Sequence, residues 1–199
     1  MRILLYCVGL MFLAFGVAFS VNSNLGVSPV NSLPYVISLI LKVDLGRCIV
    51  GVFVTYMIVQ VIIKRKEYKW INLTQLIFST IFGYFADFAK GVMHGFVIPT
   101  YFGQLLMMAI SIVLVAIGVA IYMDVKLVNM PISDCFPNIE FHKIKIIVDC
   151  SSVAVGVVLS FLFMHGLFGI REGTILSALL VGKLLPVVKK KISPVIQKL

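Results

Sequence analysis

Charge is what this sequence has least of. Only 13% of its 199 residues are Asp, Glu, Lys or Arg, against about a quarter in ordinary soluble domains. Hydrophobic residues make up 61%, and the mean hydropathy is +1.10. That polar surface cannot coat a soluble globule, so a soluble fold is excluded and a polytopic membrane protein is expected. The four cysteines, Cys7, Cys48, Cys135 and Cys150, form no CxxC pair and have no metal-ligand spacing. A disulfide scaffold and a zinc module are therefore not expected. GxSxG, HExxH and phosphate-binding loops are all missing, and the three histidines share no ligand spacing. No enzyme, cofactor or metal centre is expected from such a chain.

Basic residues exceed acidic ones, 17 to 8. They cluster at "KRKEYK" (64–69) and "KKKISPVIQK" (189–198), each beside an apolar run. Positive-inside topology accounts for this placement better than a nucleic-acid-binding face does. The expected partners are the lipid bilayer and a small solute, with no nucleic acid.

Six apolar runs are long enough to span a bilayer: about 3–22, 47–63, 73–94, 101–123, 146–168 and 173–188. The first resembles a signal peptide, but its length suits a span and a related segment recurs in mid-chain. Two further segments, 29–41 and 129–140, are short, apolar and marked by proline. Such lengths suit re-entrant or half-helices rather than spans.

The chain also repeats itself. "GVAFSVNSNLGVSPVNS" (16–32) aligns with "GVAIYMDVKLVNMPISD" (118–134) at an offset of 102. Gly16 meets Gly118, Leu25 meets Leu127, and Pro29 meets Pro131. One transmembrane domain, 1–199, thus divides into repeat one, about 1–95, and repeat two, about 98–199. Six spans put both termini and both basic clusters on one side, the cytoplasmic side under the positive-inside rule. Three spans per half is an odd number, so the halves are inverted. The expected fold is all-α, with about six transmembrane helices, two re-entrant half-helices and two inverted repeats.

Paired helix interruptions in inverted repeats mark the binding sites of many transporters. In the first, Ser28 and Pro29 read as N-cap and N1 of a helix start, whose positive end faces the site. The second supplies Asn129, Ser133 and Asp134. The expected substrate-binding set is Asn24, Ser28, Asn31, Ser32, Asn129, Ser133 and Asp134. Asp87 and Lys90, at i,i+3 in "YFADFAKG", are a candidate intramembrane ion pair.

The stretches "NLGVSPVNSL", "INLTQLIFSTIFGYFADF", "KLVNMPISD" and "REGTILSALLVGKLL" resemble the YczE/YyaS/YitT family of bacterial integral membrane proteins, in particular its YczE-like branch. The family pattern is GLGxxPxD after the first span of each half and GxGTxxxALxxG opening its last. This chain departs from it: Asn31 and Ser133 stand where the family has Asp, and Thr74-Gln75 replaces the first GT. The resemblance implies a multi-pass protein of the bacterial cytoplasmic (inner) membrane and, in a general way, transport. It names no substrate. Two functional readings follow: a permease-like transporter of a small solute, or a non-transporting scaffold that regulates a cytoplasmic partner through its basic edges.

Overall fold

In a computed structural model, residues 2–64, 74–125 and 141–196 are described, and no strand occurs among them. They form α1 (Arg2–Asn22), α2 (Pro29–Leu41), α3 (Leu45–Lys64), α4 (Thr74–Val92), α5 (Tyr101–Val125), α6 (Phe141–Met164) and α7 (Glu172–Ile196). Each expected run is a helix, with shifted ends. The fifth run, 146–168, ends early, at Met164, because His165 and Gly169 take positive φ (53° and 73°), which a helix cannot continue through. The last run extends through the lysines to Ile196, since Lys is a good helix former. The expected segment 129–140 lies outside the described residues.

Among the described residues, four helices are long and apolar enough to cross a membrane: α1, α3, α5 and α6. The other two long helices carry more polar residues, Gln75, Asp87 and Lys90 in α4 and the "KKK" tail in α7. Large apolar side chains face outward, among them Phe102 at 77% and Leu162 at 66% exposure. A soluble monomer does not leave such a surface uncovered; in a bilayer it meets lipid.

The core is built on α1 against α5. Tyr6 sits beside Tyr122 and Ser23 beside Met108, so the two helices run antiparallel. Small residues set their approach, as is usual where lipid leaves packing to drive association. A Cβ on Gly118 would stand 2.7 Å from both Gly9 O and Leu13 N. One on Gly16 would stand 2.7 Å from Val115 Cγ2 and 3.2 Å from Ser111 O. Shifting every residue by 102 maps the one set of contacts onto the other: Gly16–Val115 becomes Gly118–Leu13, and Gly16–Ser111 becomes Gly118–Gly9.

Neighbouring contacts give the remaining directions. α4 runs parallel to α1, with Phe78 at Tyr6 and Met93 O accepting from Asn22 Nδ2. α3 is antiparallel to α4, with Gly46 against Asp87 and Val50 against Gly83. α7 runs parallel to α5, from Gly173 at Met108 to Lys189 at Asp124.

The chain between α1 and α2 does not leave the bundle. The Ser20 hydroxyl donates to Gly26 O at 2.9 Å, so the segment folds back along α1. Gly26 makes that turn at φ +112°, where a side chain would be strained. Val27 N then donates to Gly169 O, and Gly173 N donates to Leu25 O at 2.9 Å. The "NLG" and "REGT" motifs are thereby packed on one another, and α2 begins in the interior of the bundle.

Candidate functional site

A cavity of about 200 Å³ lies at the start of α2 and takes lining residues from all seven helices. Ser28 and Asn31 line it together with Tyr6, Leu10 and Leu13 of α1. Pro29 occupies the first turn of α2 with Ser28 before it as N-cap, as the sequence predicts. The Ser28 side chain makes no capping bond. Its Oγ instead accepts from Asn31 Nδ2 at 3.0 Å, while Asn31 N donates to Ser28 O at 2.9 Å. Asn31 and Ser28 thus brace one another at the cavity wall.

The expected binding residues separate. Ser28 and Asn31 line the cavity. Ser32 is fully buried and donates to Pro29 O at 2.6 Å; it is not part of the lining, because its side chain turns back on its own helix. Asn24 is exposed and takes a left-handed φ of 55°, with its carbonyl accepting from Arg171 Nη1 at 3.2 Å. Its place is the clamp between α1 and α7, not the cavity. Asn129, Ser133 and Asp134 lie outside the described residues. Asp87 does not close an ion pair with Lys90 among the described residues; Asp87 Oδ1 accepts from Gly46 N at 2.7 Å. That places a carboxylate at the N-terminus of α3, where the unpaired amides and the helix dipole favour negative charge.

Other residues were missed by sequence reasoning. Gln75 is 6% exposed and lines the cavity from α4. Its Oε1 is buried with no hydrogen-bond partner among the described residues. Tyr122, 9% exposed, lines it from α5, and its hydroxyl likewise lacks a partner there. Tyr6 stands between Tyr122 and Phe78, with ring centroids 6.2 and 4.5 Å away. Phe53 and Phe82 add two more rings, and Asp149 of α6 adds a carboxylate. Gln75 had one signal in the sequence: it interrupts the GT of the family pattern. The aromatic residues had none, since on apolar helices they read as lipid-facing or core.

Buried polar atoms without partners are rare in folded proteins and costly. No group of three or more His, Cys, Asp or Glu side chains able to hold a metal ion occurs among the described residues.

The apolar helices and the apolar exterior define a multi-pass helical membrane protein. The family model for DUF6198, a family of unknown function, matches residues 1–190, and the chain belongs to that family. It is also 30% identical over 190 residues to the "Uncharacterized protein YyaS" of Bacillus subtilis (strain 168), covering 94% of this chain and 92% of that protein. This agrees with the family resemblance read from the motifs. No solved structure matches the chain.

Proposed function

We propose that this protein is a transporter of a small solute, with its binding site at the interior start of α2. The observation that carries the reading is the cavity itself: every described helix lines it, and Ser28, Asn31, Gln75 and Tyr122 stand as polar residues in its mostly apolar lining. A packing defect would be dry and apolar. A site holds a few polar groups in an apolar wall.

In this reading α1 and α3–α7 cross the bilayer six times, and α2 is a re-entrant half-helix. The alternating helix directions support that count. The exchange of the α1–α5 contacts under the 102-residue offset supports two inverted repeats, a common transporter architecture. Inversion permits alternating access: one half rocks against the other about the glycine-lined α1–α5 seam. Both termini lie in the cytoplasm and the protein resides in the bacterial inner membrane, as the basic clusters suggest and the family resemblance of the motifs implies.

The test is solute flux and ligand-induced thermal shift in proteoliposomes across a broad solute panel, with wild type, Asn31→Ala and Gln75→Leu. A transported solute whose uptake falls at least tenfold in both variants is expected. Unchanged behaviour of both variants across every solute that wild type handles would remove the site assignment.

A further inference from the structure

The cavity lies toward one end of the bundle. It takes no residue of α1 later than Leu13, none of α4 later than Phe82 and none of α5 earlier than Val115. With α1 and α4 parallel and α5 reversed, that is the end where Lys189 meets Asp124. The opposite end is shut by two turns of backbone, 24–27 and 169–174. Val27 N donates to Gly169 O at 3.0 Å, and Gly173 N donates to Leu25 O at 2.9 Å. Leu25 and Val27 are each 1% exposed. A Cβ on Gly26 would stand 2.6 Å from Thr174 Oγ1 and 2.8 Å from Arg171 N, and one on Gly173 would stand 2.7 Å from Leu25 O. The two turns meet backbone to backbone.

We propose that these interlocked turns are the outer gate of the site, an inference that rests on the transport reading. They hold the cavity closed to the face opposite the basic clusters. The two main-chain bonds between them part when the site opens that way.

Both turns run directly into the cavity wall. Val27 is followed by Ser28, and Thr174 O accepts from Ser177 Oγ at 2.9 Å; Ser28 and Ser177 both line the cavity. A shift of either turn therefore moves a wall of the site, and a solute seated at that wall acts on the turns. Their backbone is also unusual. Of the six described residues with positive φ, four form or flank the two turns: Asn24, Gly26, His165 and Gly169. Such conformations collect at clamps and switch regions. Glycine passes between regions of φ at little steric cost, so Gly26 and Gly169 can serve as pivots.

The ties across the gate are few. Besides the two main-chain bonds, the exposed Arg171 guanidinium donates to Asn24 O at 3.2 Å. Arg171 forms its ion pair with its own neighbour, Glu172, at 3.7 Å. No ring pair and no ion pair bridges the two turns among the described residues. The α1–α5 seam, by contrast, is locked by helix backbones at Gly16 and Gly118. Opening at the turns breaks fewer contacts than opening at the seam.

Sided cysteine labelling tests the gate without knowledge of the solute. The parent has its four native cysteines replaced by alanine and carries one reporter, Val30→Cys, in the cavity wall. A charged, membrane-impermeant methanethiosulfonate is added to the outer face of sealed vesicles, and modification of the reporter peptide is read by mass spectrometry. Leu25→Cys with Gly173→Cys supplies a lock. A Cβ on Gly173 would stand 3.0 Å from Leu25 Cβ, and disulfides hold these atoms about 3.5–4.5 Å apart, so a small shift suffices. Oxidation of the pair by copper phenanthroline should slow outer labelling of the reporter at least tenfold, and reduction should restore it. Gly26→Ala, whose Cβ wedges against Thr174 and Arg171, should speed outer labelling at least fivefold, while Gly51→Ala should not. Melting and gel filtration establish that each variant is folded; if Gly26→Ala is not, the oxidised and reduced lock decides alone. Outer labelling that ignores the lock overturns the gate and leaves the transport reading standing, since the site then opens by another route. A folded pair that does not oxidise overturns the gate as well. A reporter labelled from the inner face but never from the outer one, in the parent, the reduced pair and Gly26→Ala alike, overturns the gate and alternating access together.

Discussion

Replacing Gly118 by Ala tests the packing that the rest of the bundle depends on. The new Cβ would lie 2.7 Å from Gly9 O and 2.7 Å from Leu13 N, closer than real Cβ contacts come. Both obstacles are backbone atoms of a helix, so no rotamer change relieves them. α1 and α5 must part by several tenths of an ångström along their central contact. Overpacking of this kind costs about 1–3 kcal/mol. Alanine returns about 0.5–1 kcal/mol of helix propensity, so the net loss is about 0–2.5 kcal/mol, centred on about 1 kcal/mol. For a chain of this length each kcal/mol moves the midpoint by roughly 2–4 °C, hence a fall of up to roughly 10 °C, centred on roughly 2–5 °C. Two controls fix the scale. Gly51 has nothing within 4 Å of its added Cβ, so Gly51→Ala gains only propensity and melts at or slightly above wild type. Gly16 meets Val115 Cγ2 at 2.7 Å and backbone less tightly than Gly118 does, Val115 N at 3.0 Å and Ser111 O at 3.2 Å, so Gly16→Ala falls between the two. Thermal unfolding in one detergent, followed by fluorescence-detected gel filtration, ranks the three. Gly118→Ala melting at or above wild type, or above Gly51→Ala, would refute the close backbone approach of α1 and α5.

Two more predictions concern charges. Asp87→Asn weakens the bond to Gly46 N and removes the anion from the start of α3; it should destabilise by about 0.3–1 kcal/mol, while Lys90→Ala changes the melting point less. The reverse order would restore the ion pair that the sequence suggests. Lys189 meets Asp124 at 3.5 Å, with the carboxylate side chain only 7% exposed and the lysine 44%. Lys189→Ala strands that carboxylate and should cost about 1–2 kcal/mol, reduced by solvent screening on the lysine side. Adding Asp124→Asn should recover most of the loss in a double-mutant cycle, and strictly additive losses would exclude the pairing.

Much of the architecture was legible because it is local. Apolar runs longer than a bilayer's thickness announce helices, and α1 and α5 match their expected bounds to within two residues. The polar, proline-marked "SPVNS" announced a helix start inside an apolar chain, since Pro29 suits the first turn and Ser28 the position before it. Gly16 and Gly118 were legible as close-contact positions too, because small residues let helices approach closely.

The membership of the cavity was a different matter. Ser28, Asn31 and Ser32 are neighbours on one short helix, yet helical geometry turns Ser32 back onto Pro29 O and leaves only Ser28 and Asn31 at the wall. Asn24 has the composition of a site residue, but the fold spends its carbonyl on Arg171. Asp87 has Lys90 one turn away, yet the amide of Gly46, far off in the sequence, takes its carboxylate. The sequence alone determined that the chain is helical, that it belongs in a membrane, and where one helix begins in the interior, because periodicity and hydropathy act over neighbouring residues. The tertiary structure alone decided that Gln75 and Tyr122 line one cavity with that helix start. Burial and hydrogen bonding are settled by which helices pack together, and no residue carries that information by itself.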